Sequence, residues 1–372
     1  MTLLAAQPCE ALPADRSQPL IVTACGADVV SDIGRWSAEL PPCDHPAHDL
    51  RWLAALNRGL GHRPVVVEAR DNGRLVGLLP LALVTSPWFG RFLVSLPYVN
   101  SAGPILSALA AESASDLPTI EAALVDRAVA LADELNVRYL ELRGERELPH
   151  PALAETNSSK VHMRLALPDT ADALMAGFKS KLRSQLRGAL KHAFEVRWGG
   201  QELVGDFYAV FSRNMRDLGT PVYPRAFFTA ILDSFSSDAE LCVLRLAGQP
   251  VAGALLVHGR SVTEVPSAST LRSANFSGAN MAMYWHLLVR AIERGQSTFD
   301  FGRSTAGSGT YKFKEQWGAQ PSPAIWQYHV RKGSARAMRP DNGKYGLAIR
   351  VWKRLPLWLA SAIGPAIVRG IP

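Results

Sequence analysis

The chain has 372 residues, 48% of them hydrophobic and 20% charged, with a formal net charge of +7. This is ordinary globular composition: no stretch reaches the ~18 to 20 apolar residues of a membrane-spanning helix. Cys9, Cys25, Cys43 and Cys242 lack the CxxC spacing of a zinc site or disulfide framework. The basic balance favours a polyanionic partner such as phosphate, nucleic acid or a membrane surface.

Residues 1–20 read as disordered and show no basic n-region or sustained apolar run, so a cytoplasmic location is expected. A first domain is expected over 21–159. It begins with "PVVVEARDNGRLVGLLPLALV", two strands joined at Asn72-Gly73, a strong hairpin signal. "RFLVSLPYVNSAGPIL" reads as a further strand, "TIEAALVDRAVALADELN" as a helix and "VRYLELRG" as a short strand. The join falls near residue 160, in "ETNSSKVHMRLALP".

A second domain, 160–332, opens on "DALMAGFKSKLRSQLRGALKHAF", where Lys179, Arg183, Arg187 and Lys191 recur every four residues. That spacing lays four cations along one helical face, with Leu182, Leu186 and Leu190 on another that should meet the core. The stripe suits a phosphate-rich ligand; the plainer alternative is a solvated face. The first domain's order then repeats. "LCVLRLAGQPVAGALLVHG" is a hairpin turning at Gly248, and "SVTEVPSAST" continues the sheet. "NMAMYWHLLVRAIERG" is a helix stopped by Gly295, and "STFDFGRS" is the next strand. Gly77 and Gly253 take matching places on the second strand of each hairpin. Hairpin, strand, helix, strand, twice over, predicts a duplicated α+β (mixed α/β) fold.

"LRSANFSGAN" feeds a helix N-terminus, and its Ser277, Gly278 and Asn280 offer an anion site. "FDFGRSTAGSGTYKFKEQWGAQP" then ends a strand at Asp300, turns through Gly302, Gly307 and Gly309, and clusters Arg303, Tyr311, Lys312, Lys314 and Trp317. Its glycines match neither a Walker A loop nor GxGxxG. An ion pair between Asp300 and Arg303, pinning the loop, is the plain structural reading. Residues 333–372 form a connector and a tail, "IRVWKRLPLWLASAIGPAIVRGIP", basic and then apolar, interrupted by Pro356 and Pro365. The tail reads as a peripheral contact with the inner membrane or as a terminal helix packed on the body. The histidines form no metal-ligand cluster, so no metal is expected; no GxSxG marks a nucleophile. The basic helix lacks interleaved aromatics for base stacking, so nucleic-acid binding through it alone ranks last and no DNA partner is expected, while a coenzyme's pyrophosphate, a tRNA or a lipid-linked sugar remains open for the stripe.

Residues 299–321 closely resemble the signature segment of FemAB-like proteins, in the branch associated with exosortase (PEP-CTERM) and exopolysaccharide loci. These resemble a wider group with a BioF2-like acetyltransferase domain. "SLPYVNSAGP", "MRDLGTPVYPRAFF", "VAGALLV" and "LPLWLASAIGPAIVRGIP" carry the resemblance over most of the chain after about residue 50. It implies tandem duplicated GNAT-like acyltransferase domains. Fem enzymes transfer amino acids from aminoacyl-tRNA through a G-x-Y-x-F-K-x-x-(F/W)-G segment whose lysine lies near the reacting ester. Gly309, Tyr311, Phe313, Lys314, Trp317 and Gly318 match that segment. Neither half carries the Q/R-x-x-G-x-G/A pyrophosphate loop of ordinary GNAT enzymes, which leaves acetyl-CoA open as the donor.

The resulting expectation is an acyl- or aminoacyl-transferase acting on an amine or hydroxyl of a cell-envelope or exopolysaccharide precursor, by direct attack on the activated carbonyl. Asp300, Arg303, Tyr311 and Lys314 are its catalytic candidates. Lys179, Arg183, Arg187, Lys191, Ser277, Gly278, Asn280, Gly307 and Gly309 would hold the donor's phosphates. No tightly bound cofactor is expected, with acyl-CoA a possible co-substrate. The alternative is a non-catalytic accessory protein of a polysaccharide or protein-export system, suggested by the missing coenzyme loop and the basic, apolar tail.

Overall fold

The structure, a computed structural model, describes residues 20–26, 28–111, 117–335 and 346–372. The segment read as disordered, up to residue 19, and most of the connector lie outside the described residues. The strands are β1 (Ile21–Cys25), β2 (Arg63–Asp71), β3 (Arg74–Ser86), β4 (Gly90–Val94), β5 (Ile105–Leu106), β6 (Tyr139–Gly144) and β7 (Glu155–Ala166). They continue as β8 (Glu195–Gly199), β9 (Ala239–Leu246), β10 (Gln249–His258), β11 (Val262–Thr270), β12 (Thr298–Thr305) and β13 (Gln320–Val330).

All thirteen join one mixed sheet in the order β1-β2-β3-β4-β6-β13-β7-β12-β11-β10-β9-β8, with β5 beside β3. Local chemistry sets the hairpins. Asn72 and Gly73 both take positive φ between β2 and β3, as do Ala247 and Gly248 between β9 and β10. β7 crosses residue 160 and pairs with β12 and β13, while β13 also pairs with β6. The last strand of the second half is thus the seam between the halves.

Helices cover both faces. The Leu117–Glu134 helix packs on β2, β3 and β6, and the Ser180–Ala189 and Ala279–Glu293 helices pack on β9 to β12. On the opposite face, one core joins the halves: Leu53 and Leu56 of the Arg51–Leu60 helix meet Phe227, Phe228 and Ile231 of the Arg225–Phe235 helix. The helices approach closely at Gly59, where a Cβ would lie 2.7 Å from the Phe227 Cα.

Three sequence-level expectations need correction. Gly77 and Gly253 do not match: a Cβ on Gly77 would meet Ile120 of the Leu117–Glu134 helix, whereas one on Gly253 would meet Phe207 on the other face. They stand four and five residues past the turn glycines Gly73 and Gly248, and an odd offset flips a strand side chain to the opposite face. Leu190 is not core. The basic helix ends at Ala189, so Leu190 caps it and is exposed. Pro365 does not interrupt the tail, because it sits inside the Leu357–Val368 helix. The carbonyl it leaves free belongs to Ser361, which is only half-buried.

Candidate active site

The sheet contains two parallel pairs, β4 with β6 and β11 with β12. β11 and β12 pair over three rungs, Val262↔Thr298, Thr263↔Phe299 and Glu264↔Asp300, and then part. Beyond that rung β11 stays with β10, while β12 follows β7. A split at the carboxyl ends of parallel strands is where open sheets bind ligands. The first half has the same split after Val94↔Glu141, but it is stitched shut. The Arg143 amide donates to Ser95 Oγ (2.8 Å), the Ala102 amide to Arg143 O (2.7 Å) and the Arg143 guanidinium to Val99 O (3.0 Å).

The second split, bridged by the Asn100 side chain between Glu264 and Arg303, holds two buried carboxylates side by side. Asp300 accepts from His45 Nε2 (3.0 Å), Arg164 Nε (2.8 Å) and the Gly302 amide (2.6 Å). Burial alone would raise its pKa, but the bonds from His45 and Arg164 hold it well below the usual carboxylate range. The Ala47 amide donates to His45 Nδ1 (3.0 Å), which leaves the proton on Nε2, facing Asp300. Arg164 is held in turn by Glu145.

Glu264 is the opposite case. It is 1% exposed, and its Oε1 accepts from Asn100 Nδ2 at 2.7 Å while its Oε2 has no partner. Burial pushes its pKa up, and the Asp300 charge adds to the rise. Two acids on one rung are therefore driven apart, one held ionised and the other inclined to take a proton. Asn100 also accepts from Arg303 Nε (3.0 Å), whose guanidinium stacks on Trp326 at 3.7 Å. Burial lowers the Arg303 pKa to about 9. In the same cross-strand row stands His162, fully buried, with neither ring nitrogen partnered; burial lowers it to about 4.

Lys314 lies in the Gly309–Gln316 helix, capped by Ser308 Oγ accepting from the Tyr311 amide (3.2 Å). Its ammonium donates to Gly302 O and Arg303 O, each at 3.0 Å, in the irregular stretch of β12 between Asp300 and Arg303. Burial lowers its pKa to about 8. An ammonium has three protons, so one remains for another acceptor.

The structure thus brings Asp300, Arg303 and Lys314 to one place, but not as an Asp300–Arg303 ion pair: Asp300 pairs with Arg164 and His45, because the bulge after it turns Arg303 toward Asn100. Tyr311 packs against the core beneath the Ala279–Glu293 helix. Of the basic stripe, Lys179, Arg187 and Lys191 are exposed, while Arg183 donates to the Ala176 and Phe178 carbonyls at the end of the preceding helix. Lys191 falls just beyond the helix.

That helix ends against the second anion candidate, for a Cβ on Gly278 would lie 2.8 Å from the Ala189 Cβ. Gly278 has φ 66° and starts the Ala279–Glu293 helix without a side-chain cap. Ser277 Oγ donates to Ala274 O (2.7 Å), and Asn280 accepts from Thr270 (3.2 Å). Gly307 has φ 74°, and both it and Gly309 are exposed.

His45, Asn100, Arg164 and Glu264 were not read from the sequence. Only Glu264 left a local signal, an acid in the middle of the strand "SVTEVPSAST". A cavity of about 550 Å³ opens at the other end of β11, beside Cys43, His48 and Arg260. Arg51 pairs there with both Asp49 and Asp238, and Arg260 lies 3.8 Å from Asp44.

A family model described as "Acetyltransferase (GNAT) domain" matches residues 177–315. Among solved structures, the chain is similar to FemX, with TM-score 0.62 and 15% identity, over 83% of this chain and 97% of that one. It is similar to L-PGS from Bacillus licheniformis, with TM-score 0.53 and 14% identity, over 87% and 97%. A tandem GNAT protein from the clavulanic acid biosynthesis pathway aligns with TM-score 0.52 and 13% identity, over 85% and 100%. No curated protein matches the sequence. The chain has the fold of tandem GNAT-like domains, a mixed twisted sheet flanked by helices.

Proposed function

We propose that the protein is an acyltransferase that works in the split between β11 and β12. It moves an acyl group from a phosphate-bearing donor, acyl-CoA first among these, to an amine or hydroxyl of a cell-envelope or exopolysaccharide precursor on the cytoplasmic side. The observation that carries this reading is Glu264, a buried carboxyl with one unpartnered oxygen on the last rung before the strands part. Its raised pKa suits a general base better than Asp300, whose oxygens already accept three hydrogen bonds.

In the reaction, the acceptor's nitrogen or oxygen attacks the acyl carbonyl carbon and gives its proton to Glu264. A C–N or C–O bond forms and the donor's C–S bond breaks, its electron pair leaving with the thiolate. Lys314, and the free amino groups of Arg303, offset the negative charge that gathers on the carbonyl oxygen; a donor of this kind contributes ~3 to 4 kcal/mol to barrier lowering. The second half, 160–332, carries the chemistry, and the first, 21–159, supplies His45 and Asn100. The resemblance to FemAB-like proteins supports the envelope or exopolysaccharide acceptor.

The donor's phosphates would lie at the uncapped start of the Ala279–Glu293 helix, with Arg187 and Lys191 alongside. Calorimetric titration with acetyl-CoA should give micromolar binding, weakened about tenfold in Arg187→Ala/Lys191→Ala, since surface charge–phosphate contacts contribute roughly 0.5 to 1 kcal/mol each. Arg183→Ala should leave affinity near that of the wild type, because its guanidinium is committed to backbone carbonyls. Absence of binding to acetyl-CoA and to CoA would remove the acyl-CoA reading.

A further inference from the structure

The Leu357–Val368 helix is built inside out. Its buried positions are the small Ala360 and Gly364 together with Val368, and Gly364 lies so close to Val222 that a Cβ would sit 2.9 Å from the Val222 amide. Its largest side chain, Trp358, is 72% exposed, and Ile363 is exposed as well. None of its 12 residues is charged. A helix at a protein surface normally turns its polar face outward; this one has no such face.

The exposed apolar surface extends beyond the helix. Of the nine large hydrophobic side chains exposed among the described residues, five gather here: Leu218, Leu347, Val351, Trp358 and Ile363. Leu218 belongs to the group because the next residue, Gly219, lies against Ile349. Cations bracket the patch, with Arg350, Lys353 and Arg354 before the helix and Arg369 after it, all exposed. Residues 346–372 contain no acid. The nearest acid in sequence to the patch, Asp217 beside Leu218, is paired with Arg216. A surface closed by a protein partner requires no such excess of cations at its margin. An anionic bilayer does, with aromatic and aliphatic side chains entering the headgroup layer and Lys and Arg meeting the lipid charge.

We propose that the two C-terminal helices form a docking surface for a bilayer containing anionic phospholipid, and that the protein lies on this surface without spanning it. No helix among the described residues is long and apolar enough to cross a membrane. The docking face is tied to the chemistry. Tyr98 Oη lies 2.6 Å from Val368 O and 2.8 Å from Ile371 O, and it donates its one proton between them. Tyr98 holds φ 69°, a conformation costly for an aromatic residue, two positions before Asn100. The end of the membrane-facing segment is thereby fastened to the loop that supplies Asn100 to Glu264. This inference stands independently of whether the split transfers acyl groups.

Flotation of the full-length protein with phosphatidylcholine vesicles, with and without phosphatidylglycerol, tests it. The protein should float only with the anionic vesicles and be released by salt. Arg350→Gln/Lys353→Gln/Arg354→Gln should weaken partitioning by roughly a hundredfold, about fivefold for each charge. Trp358→Ser should weaken it too, with the melting temperature unchanged in both, because all four side chains are exposed. Equal binding to both kinds of vesicle, or binding indifferent to these substitutions, would overturn the proposal. So would a concentration-dependent dimer that Trp358→Ser dissolves in a protein that binds no vesicle, since the patch would then cover a second copy.

Discussion

Asp300→Asn is expected to destabilise the protein by about 3 to 5 kcal/mol, the usual cost of breaking a buried, hydrogen-bonded charge pair from one side. All three donors converge on this one carboxylate: the His45 ring, the Arg164 guanidinium and the Gly302 amide. An asparagine keeps one acceptor oxygen and sets an NH2 group against the remaining donors. His45 comes from the loop that precedes the Arg51–Leu60 helix, so the loss also loosens the first half from the second. The effect depends on pH. A carboxyl whose folded pKa is depressed contributes fully above its unfolded value of about 3.9 and loses that contribution as pH falls toward the folded value. Denaturant unfolding should therefore show the full gap between wild type and variant at pH 7 and a narrower one below pH ~4. A gap under ~1 kcal/mol at pH 7 would mean that the network is not intact in solution.

Glu264→Gln should separate chemistry from stability. Turnover should fall about 10²- to 10⁴-fold, the range for loss of a general base, while the fold is kept. Gln retains an oxygen for the Asn100 amide, and its NH2 takes the place of an oxygen that had no partner. The pH dependence is the stronger test. In the wild type, kcat/KM should rise as pH climbs through the raised Glu264 pKa and fall as Lys314 loses its proton at about 8. Glu264→Gln should lose the acid limb and keep the basic one. An unchanged acid limb in the variant would assign the base elsewhere.

Much of the architecture was legible because local signals carried it. The Asn72-Gly73 turn, the turn at Gly248, the helical periodicity over residues 119–136 and the Gly295 stop each act within a few residues of chain. The seam made by β13 between β6 and β7 was not legible, since strand pairing across 150 or more residues leaves no local trace. The site divides the same way. Asp300, Arg303 and Lys314 cluster in sequence, so their proximity was legible; His45 and Asn100 reach the split from the first half, through folding alone. Arg183 looked equivalent to Arg187 by spacing, and only the end of the preceding helix, whose carbonyls it satisfies, told them apart. Glu264 could have been found by asking why an acid stands between Thr263 and Val265, both buried, in β11.

Hydrogen–deuterium exchange of the full-length protein with and without acetyl-CoA tests most directly whether the β11/β12 split is the transfer site. The account predicts protection of residues 271–285, at the start of the Ala279–Glu293 helix, and of residues 302–314, which carry Arg303 and Lys314. Protection confined to the stitched first-half split around residues 95–104, or no protection at saturating acetyl-CoA, would contradict it.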